Sequence, residues 1–139
     1  IITDAVFNQY KELCDKDNIE FEISGKLPEN FNMAETDLCV LFSNLMANAY
    51  EAAAQCEKDS SIIRTQIRNN DDDVFIKLSN SVKGEVVFKN GLPVTDKPDR
   101  KNHGFGVENI LEVVERNGGH VEWKQSDKGR FTADIMLNA

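Results

Sequence analysis

The chain has 139 residues, 40% of them hydrophobic, and a formal net charge of −8, which suits one domain with a real core over residues 1–139 and opposes broad contact with nucleic acid or an anionic membrane surface. Cys14, Cys39 and Cys56 are odd in number and lack CxxC spacing, which argues against a disulfide framework or a zinc site and fits a reduced, cytoplasmic setting. No apolar run approaches the roughly 18 residues of a membrane span, and IITDAVFNQYKEL lacks the basic start and cleavage site of a signal peptide.

A first helix is predicted from about Thr3 to Lys16, where Val6, Phe7, Tyr10, Leu13 and Cys14 repeat on one side. IEFEIS, Ile19 to Ser24, alternates as a strand, and GKLPENFN follows as a loop. A long second helix, Glu35 to Lys58, carries a broad apolar stripe of Leu38, Leu41, Phe42, Leu45, Ala49, Ala52 and Cys56. SIIRTQIR and DVFIKLSN are strands on either side of NNDDD, which reads as a hairpin turn. Gly84 to His103 reads as one long loop, Val107 to Asn117 as a third helix, and HVEWKQ with RFTADIML as a closing hairpin turning at SDKG. Helices mixed among hairpins, rather than strict βαβ alternation, predict an α/β fold. It is a two-layer sandwich of a mixed, about five-stranded sheet with three helices on one face.

Three features stand out from this frame. Asn44 and Asn48 lie mid-helix in SNLMANAYEAA, where asparagine is a mediocre helix former. They fall about 40° apart around the helix, with Glu51 about 20° to the other side of Asn44 and the apolar stripe centred about 120° away. A solvated flank accounts for any single Asn, but Val40 and Ala47 share the neighbourhood of the ridge. An amide oxygen is a neutral, hard donor that can take one site on Mg²⁺ while phosphates and waters take the others.

The second feature is HGFG, where Gly104 and Gly106 lead into the third helix. Free amides and the positive dipole end there favour phosphate, although the same glycines suit a flexible start to a helix. Neither a Walker A loop nor a dinucleotide fingerprint is present. The third feature is Asn80, which continues the phase of Val74, Ile76 and Leu78, so an amide sits where the register predicts burial. It either caps a strand end or meets a polar ligand edge such as a purine.

Taken in order, NLMAN, a strand ending in Asn80, a long loop and HGFGVENI before a closing hairpin resemble the ATP-binding domain of sensor histidine kinases. That domain belongs to the gyrase, chaperone, histidine kinase and mismatch-repair (GHKL) superfamily. The likeness is closest to the branch of quorum-sensing peptide-receptor kinases, on TDKPDRKNHGFG and on Asn80 in place of the usual aspartate. It implies the Bergerat α/β sandwich, Mg²⁺ on Asn48, the triphosphate near Asn44, adenine against Asn80, and phosphates held by Gly104 and Gly106. His103, Phe105, Val107 and Asn109 belong to the same implied ATP site, as do Glu51 and Ala52 on the second helix. Glu51 stands where many relatives place a basic phosphate contact, and that role is expected to move to the loop, through Lys97 and Arg100. Residues 83–103 hold five basic and three acidic side chains, a net +2 that leaves −10 for the remainder. This local positive charge suits an ATP lid, or simply an exposed loop.

GHKL relatives that hydrolyse ATP carry a glutamate one turn before the magnesium asparagine, where this chain has Asn44, so water activation is poorly served. A neutral imidazole acceptor needs little activation, and positioning with charge neutralisation by Asn44, Asn48 and Lys97 would carry most of the catalysis. Neither His103 nor His120 lies on an amphipathic helix beside an acid. The acceptor is therefore expected on dimerisation helices outside this chain, whose helical start at Thr3 fits a piece of a longer parent; the resemblance implies a cytoplasmic domain of a membrane-anchored sensor kinase. A response regulator is the implied downstream partner. Two alternatives stay open: a serine kinase similar to anti-sigma-factor kinases, and a non-catalytic ATP-dependent interaction module.

Overall fold

A computed structural model describes residues 2–57, 60–94, 105–126 and 129–138. In chain order the elements are α1 (Ile2–Lys16), β1 (Glu20–Ser24), α2 (Glu35–Ala54), β2 (Ile62–Asn69), β3 (Asp73–Ser81), β4 (Val87–Lys89), β5 (Leu92–Val94), α3 (Phe105–Arg116), β6 (His120–Ser126) and β7 (Arg130–Asn138). The main sheet has the order β1-β2-β3-β7-β6. Its β1–β2 pair is parallel and the other pairs are antiparallel, so the sheet is mixed, as predicted.

Period-two alternation brings one face of β2, β3 and β7 against the helices. Ile63, Ile67, Val74, Ile76, Leu78, Ala133, Ile135 and Leu137 are buried there, meeting Leu41, Phe42, Leu45 and Ala49 from the α2 stripe. Val6 and Cys14 of α1 join the same core, and Phe7 meets Phe42 edge to face with ring centroids 5.1 Å apart. Three helices thus cover one face of a five-stranded sheet.

Two elements differ from the sequence reading. The second helix stops at Ala54 rather than Lys58, because its last carbonyls find other donors: Ser61 Oγ donates to Ala53 O at 2.8 Å and Gln55 N to Ala52 O at 3.3 Å. The predicted loop from Gly84 holds a small hairpin, with Val87 paired to Val94 and Lys89 to Leu92. Its turn is Asn90-Gly91, with φ of 54° and 79°, the left-handed pair that a two-residue hairpin turn requires. That dipeptide is itself a hairpin signal, and the polar composition around it hid the two three-residue strands. The rest of the loop, with Lys97, Arg100, His103 and Gly104, lies outside the described residues.

Candidate functional site

The site forms where α2, β3 and the first turn of α3 converge. Asn44 donates its Nδ2 to Val40 O at 2.6 Å, the local back-bond by which a mid-helix asparagine satisfies itself. Its Oδ1 lies toward Gly106. Asn48 comes one turn later, and both amides face Gly106, which is buried in the first turn of α3. A Cβ added at Gly106 would stand 3.0 Å from Asn48 Oδ1, 3.3 Å from Asn48 Nδ2 and 3.5 Å from Asn44 Oδ1. Glycine is what lets the helix N-terminus come this close to the amides.

A long-range clamp sets where α3 lies. Arg116 Nη2 donates to Asp37 Oδ1 at 2.7 Å and Asn117 Nδ2 donates to Asp37 Oδ2 at 3.1 Å, tying the end of α3 to the first turn of α2. These two hydrogen bonds hold the Asp37 carboxyl below its ordinary range, and the bond to Asp37 raises the Arg116 guanidinium. With its far end fixed on α2, α3 delivers its first turn to the asparagine ridge.

Beneath that turn lies a cavity of about 440 Å³. Asn48 and Ala52 of α2, Asn80 of β3 and Val107 of α3 line it. Asn80 is 2% exposed, as its register predicts, and its Nδ2 donates to Ser81 O at 3.0 Å, which leaves Oδ1 as the acceptor. Trp123 and Phe131 on β6 and β7 line the same space, as do Val87 and Val94 of the small hairpin. None of these four was anticipated: they belong to one site only because β6 and β7 pair beside β3. The Asn90-Gly91 turn was the sequence signal for Val87 and Val94.

Glu51 and Asn109 are not among the residues that line the cavity. Glu51 is half-buried on α2 and Asn109 half-buried on α3, while Phe105 opens α3. The negative charge of Glu51, after burial, helps to raise the Tyr10 hydroxyl. Lys83 lines the cavity rim and is the basic residue of the loop segment that reaches it among the described residues.

The chemistry of the cavity differs along its length. Around Asn80 the lining is largely aromatic and aliphatic, with Leu78, Trp123 and Phe131, and Lys83 and Glu85 add charge to it, which suits a flat polar heterocycle. The other end offers the Asn48 amide and, at Val107, the first turn of α3, with Asn44 Oδ1 close by across Gly106, an arrangement suited to a hard cation and to phosphate. Among the described residues no group of three His, Cys, Asp or Glu side chains could hold a metal ion by itself. Asn48 Oδ1 is a hard neutral donor that fits Mg²⁺ when phosphate oxygens complete the shell.

Comparison with known proteins gives the same frame. Residues 33–138 match the GHKL domain family. Sensor histidine kinase DpiB of Escherichia coli (strain K12) is 26% identical over 99 residues, covering 66% of this chain and 18% of that protein. The chain therefore spans less than a fifth of that relative. Among solved structures, a nucleotide-free form of the catalytic domain of histidine kinase ThkA aligns with a TM-score of 0.77 and 17% identity over 99% of this chain and 90% of that one. The mycobacterial sensor histidine kinase MprB aligns with a TM-score of 0.68 and 15% identity over 97% of this chain and 94% of that one. At these identities the two structures show the shared α/β fold.

Proposed function

The chain belongs to the GHKL domain family, and from that premise we propose that it is the catalytic and ATP-binding unit of a sensor histidine kinase. In this reading it transfers the γ-phosphoryl of Mg-ATP to a histidine on dimerisation helices of a longer parent, which then passes the phosphoryl to a response regulator. GHKL domains bind ATP in general, and what supports the reading here is one continuous cavity that runs from Asn80 to the Asn48 amide beneath Val107. An adenine placed at the Asn80 end would give its exocyclic amine to Oδ1, while its ring packs against Leu78 and Trp123. The triphosphate would then run toward Asn44, Asn48 and the backbone of Gly106 and Val107.

Within that arrangement the protein's own groups orient rather than attack. Asn48 would hold Mg²⁺, which when bound neutralises charge on the phosphates. Asn44 would contact the triphosphate through Oδ1 by way of the metal or water, with one of its two amide hydrogens engaged with Val40 O. Gly104, His103, Lys97 and Arg100 are proposed to complete the phosphate site, with Lys97 as the cationic clamp on the transferring group. No carboxylate occupies the water-activating position, which favours transfer to an imidazole over hydrolysis.

Titration of Mg-ATP into the parent and into Asn48→Ala tests the proposal. The parent should bind in a Mg²⁺-dependent manner and the variant should lose that dependence while keeping its melting temperature. Phosphoryl transfer to a supplied histidine-bearing helical domain then separates a kinase from a binding module. Equal Mg-ATP affinity in the two proteins would remove Asn48 as the metal donor, and binding without any transfer would favour the module.

A further inference from the structure

The β4–β5 hairpin has strands of three residues each, too short to hold a position by itself. Its base is nevertheless anchored. Gln125 on β6 accepts from Val86 N through Oε1 at 2.7 Å and donates from Nε2 to Gly84 O at 2.8 Å. Only this orientation of the amide satisfies both backbone groups. The register also places Gln125 opposite Phe131, and the Phe131 ring stacks on Phe88 with centroids 6.1 Å apart. One amide and one ring, from paired residues of the closing hairpin, hold the small hairpin at its base and on its first strand.

The position that results matters to the cavity. Val87 and Val94 are directly paired across the hairpin, they are 59% and 41% exposed, and both line the cavity. Two apolar side chains left this open at a cavity mouth cost less once a flat ligand covers them.

We propose that Gln125 is a positioning residue for the base end of the nucleotide site: its amide fixes the β4–β5 hairpin as an apolar roof, so that Val87 and Val94 close over the adenine while Asn80 reads its edge. The inference rests on the nucleotide-binding reading above and extends it. It divides the segment that follows β3 into two parts with different roles. Residues 84–94 are a tethered wall of the base pocket, held by Gln125 and Phe131, and phosphate recognition lies elsewhere. Gln125 itself touches neither base nor phosphate and acts through Gly84 and Val86.

The test uses adenosine, Mg-ATP and inorganic tripolyphosphate as probes, with the fluorescence of Trp123 as the signal, since it is the single tryptophan of the chain and lines the cavity. Gln125→Leu keeps the bulk and removes both hydrogen bonds. Adenosine and Mg-ATP should weaken by the same factor, about tenfold for two lost hydrogen bonds, and tripolyphosphate should be unaffected. Amide exchange across residues 84–94 should accelerate while the centres of β3 and β7 stay protected. A purely structural role would lower the melting temperature and weaken all three probes together. If the leucine variant fails to fold, Gln125→Glu carries the same readouts, because it keeps the acceptor for Val86 N and loses the donor to Gly84 O. Unchanged adenosine affinity, or unchanged exchange across residues 84–94, would overturn the proposal. A parent that binds neither adenosine nor Mg-ATP would instead overturn the nucleotide reading itself, and this inference with it.

Discussion

Gly106 and Asn48, 58 positions apart in the chain, approach so closely that a methyl group on the glycine would stand 3.0 Å from the asparagine Oδ1. The start of α3 and the middle of α2 are therefore fitted to each other at the point where the proposed metal and phosphates would sit. Gly106→Ala should push the Asn48 amide aside by a few tenths of an ångström. The expected result is a roughly 10-fold loss of Mg²⁺-dependent ATP affinity, the size seen when the orientation of a metal donor is disturbed. Adenosine affinity should change much less. Parallel titrations of ATP with and without Mg²⁺ check this, and an undiminished Mg²⁺ effect would count against the fit.

Asn80 offers Oδ1 as an acceptor because its nitrogen is bound to Ser81 O. An acceptor there suits the exocyclic amine of adenine and opposes the carbonyl oxygen of guanine. Asn80→Leu should keep the strand and lose ATP affinity by about tenfold, the consequence of one lost base contact of about 1.4 kcal/mol, while GTP loses less. Competition of ATP and GTP against a fluorescent nucleotide measures both. Equal losses would mean that the amide does not read the base.

Thr65 is fully buried on β2, and its Oγ1 lacks a hydrogen-bond partner among the described residues. An unpaired buried hydroxyl costs free energy that a methyl group of similar size does not. Thr65→Val should raise stability by about 1 kcal/mol, seen as a higher urea midpoint with an unchanged slope. A lower midpoint would show that the hydroxyl is satisfied in solution.

The Asp37 clamp makes stability depend on pH in a defined direction. Its native pKa lies below the ordinary value of 3.8, so its contribution is fully present above that value and is lost as pH falls through the lowered native pKa. At the other end of the scale, the Tyr50 hydroxyl donates to Asp17, and that bond, with burial adding to it, pushes its pKa up to about 12. Its contribution is present below the ordinary tyrosine value of 10.0 and is lost as pH rises through about 12. Denaturation midpoints across acid pH should fall less steeply in Asp37→Asn than in the parent, and Tyr50→Phe should flatten the alkaline limb. Parallel curves for parent and variant at either end would exclude that group.

The sequence alone was enough for the helices, the five long strands and the burial of Asn80, because those follow from apolar periods of 3.6 and 2 that each segment carries within itself. It was also enough to bring out Asn44 and Asn48 as a ridge beside the core, since helical geometry sets their angle whatever lies opposite. Where α2 stops was not local: Ser61, eight residues further on, takes the Ala53 carbonyl. The walls of the cavity were less local still. Trp123, Phe131, Val87 and Val94 become neighbours of Asn80 only through the pairing of β7 with β3 and of β6 with β7, and through the hold of Gln125 on Gly84 and Val86. A residue's period is written in its own segment, whereas a cavity belongs to the partners that distant segments find, and only tertiary packing chooses those.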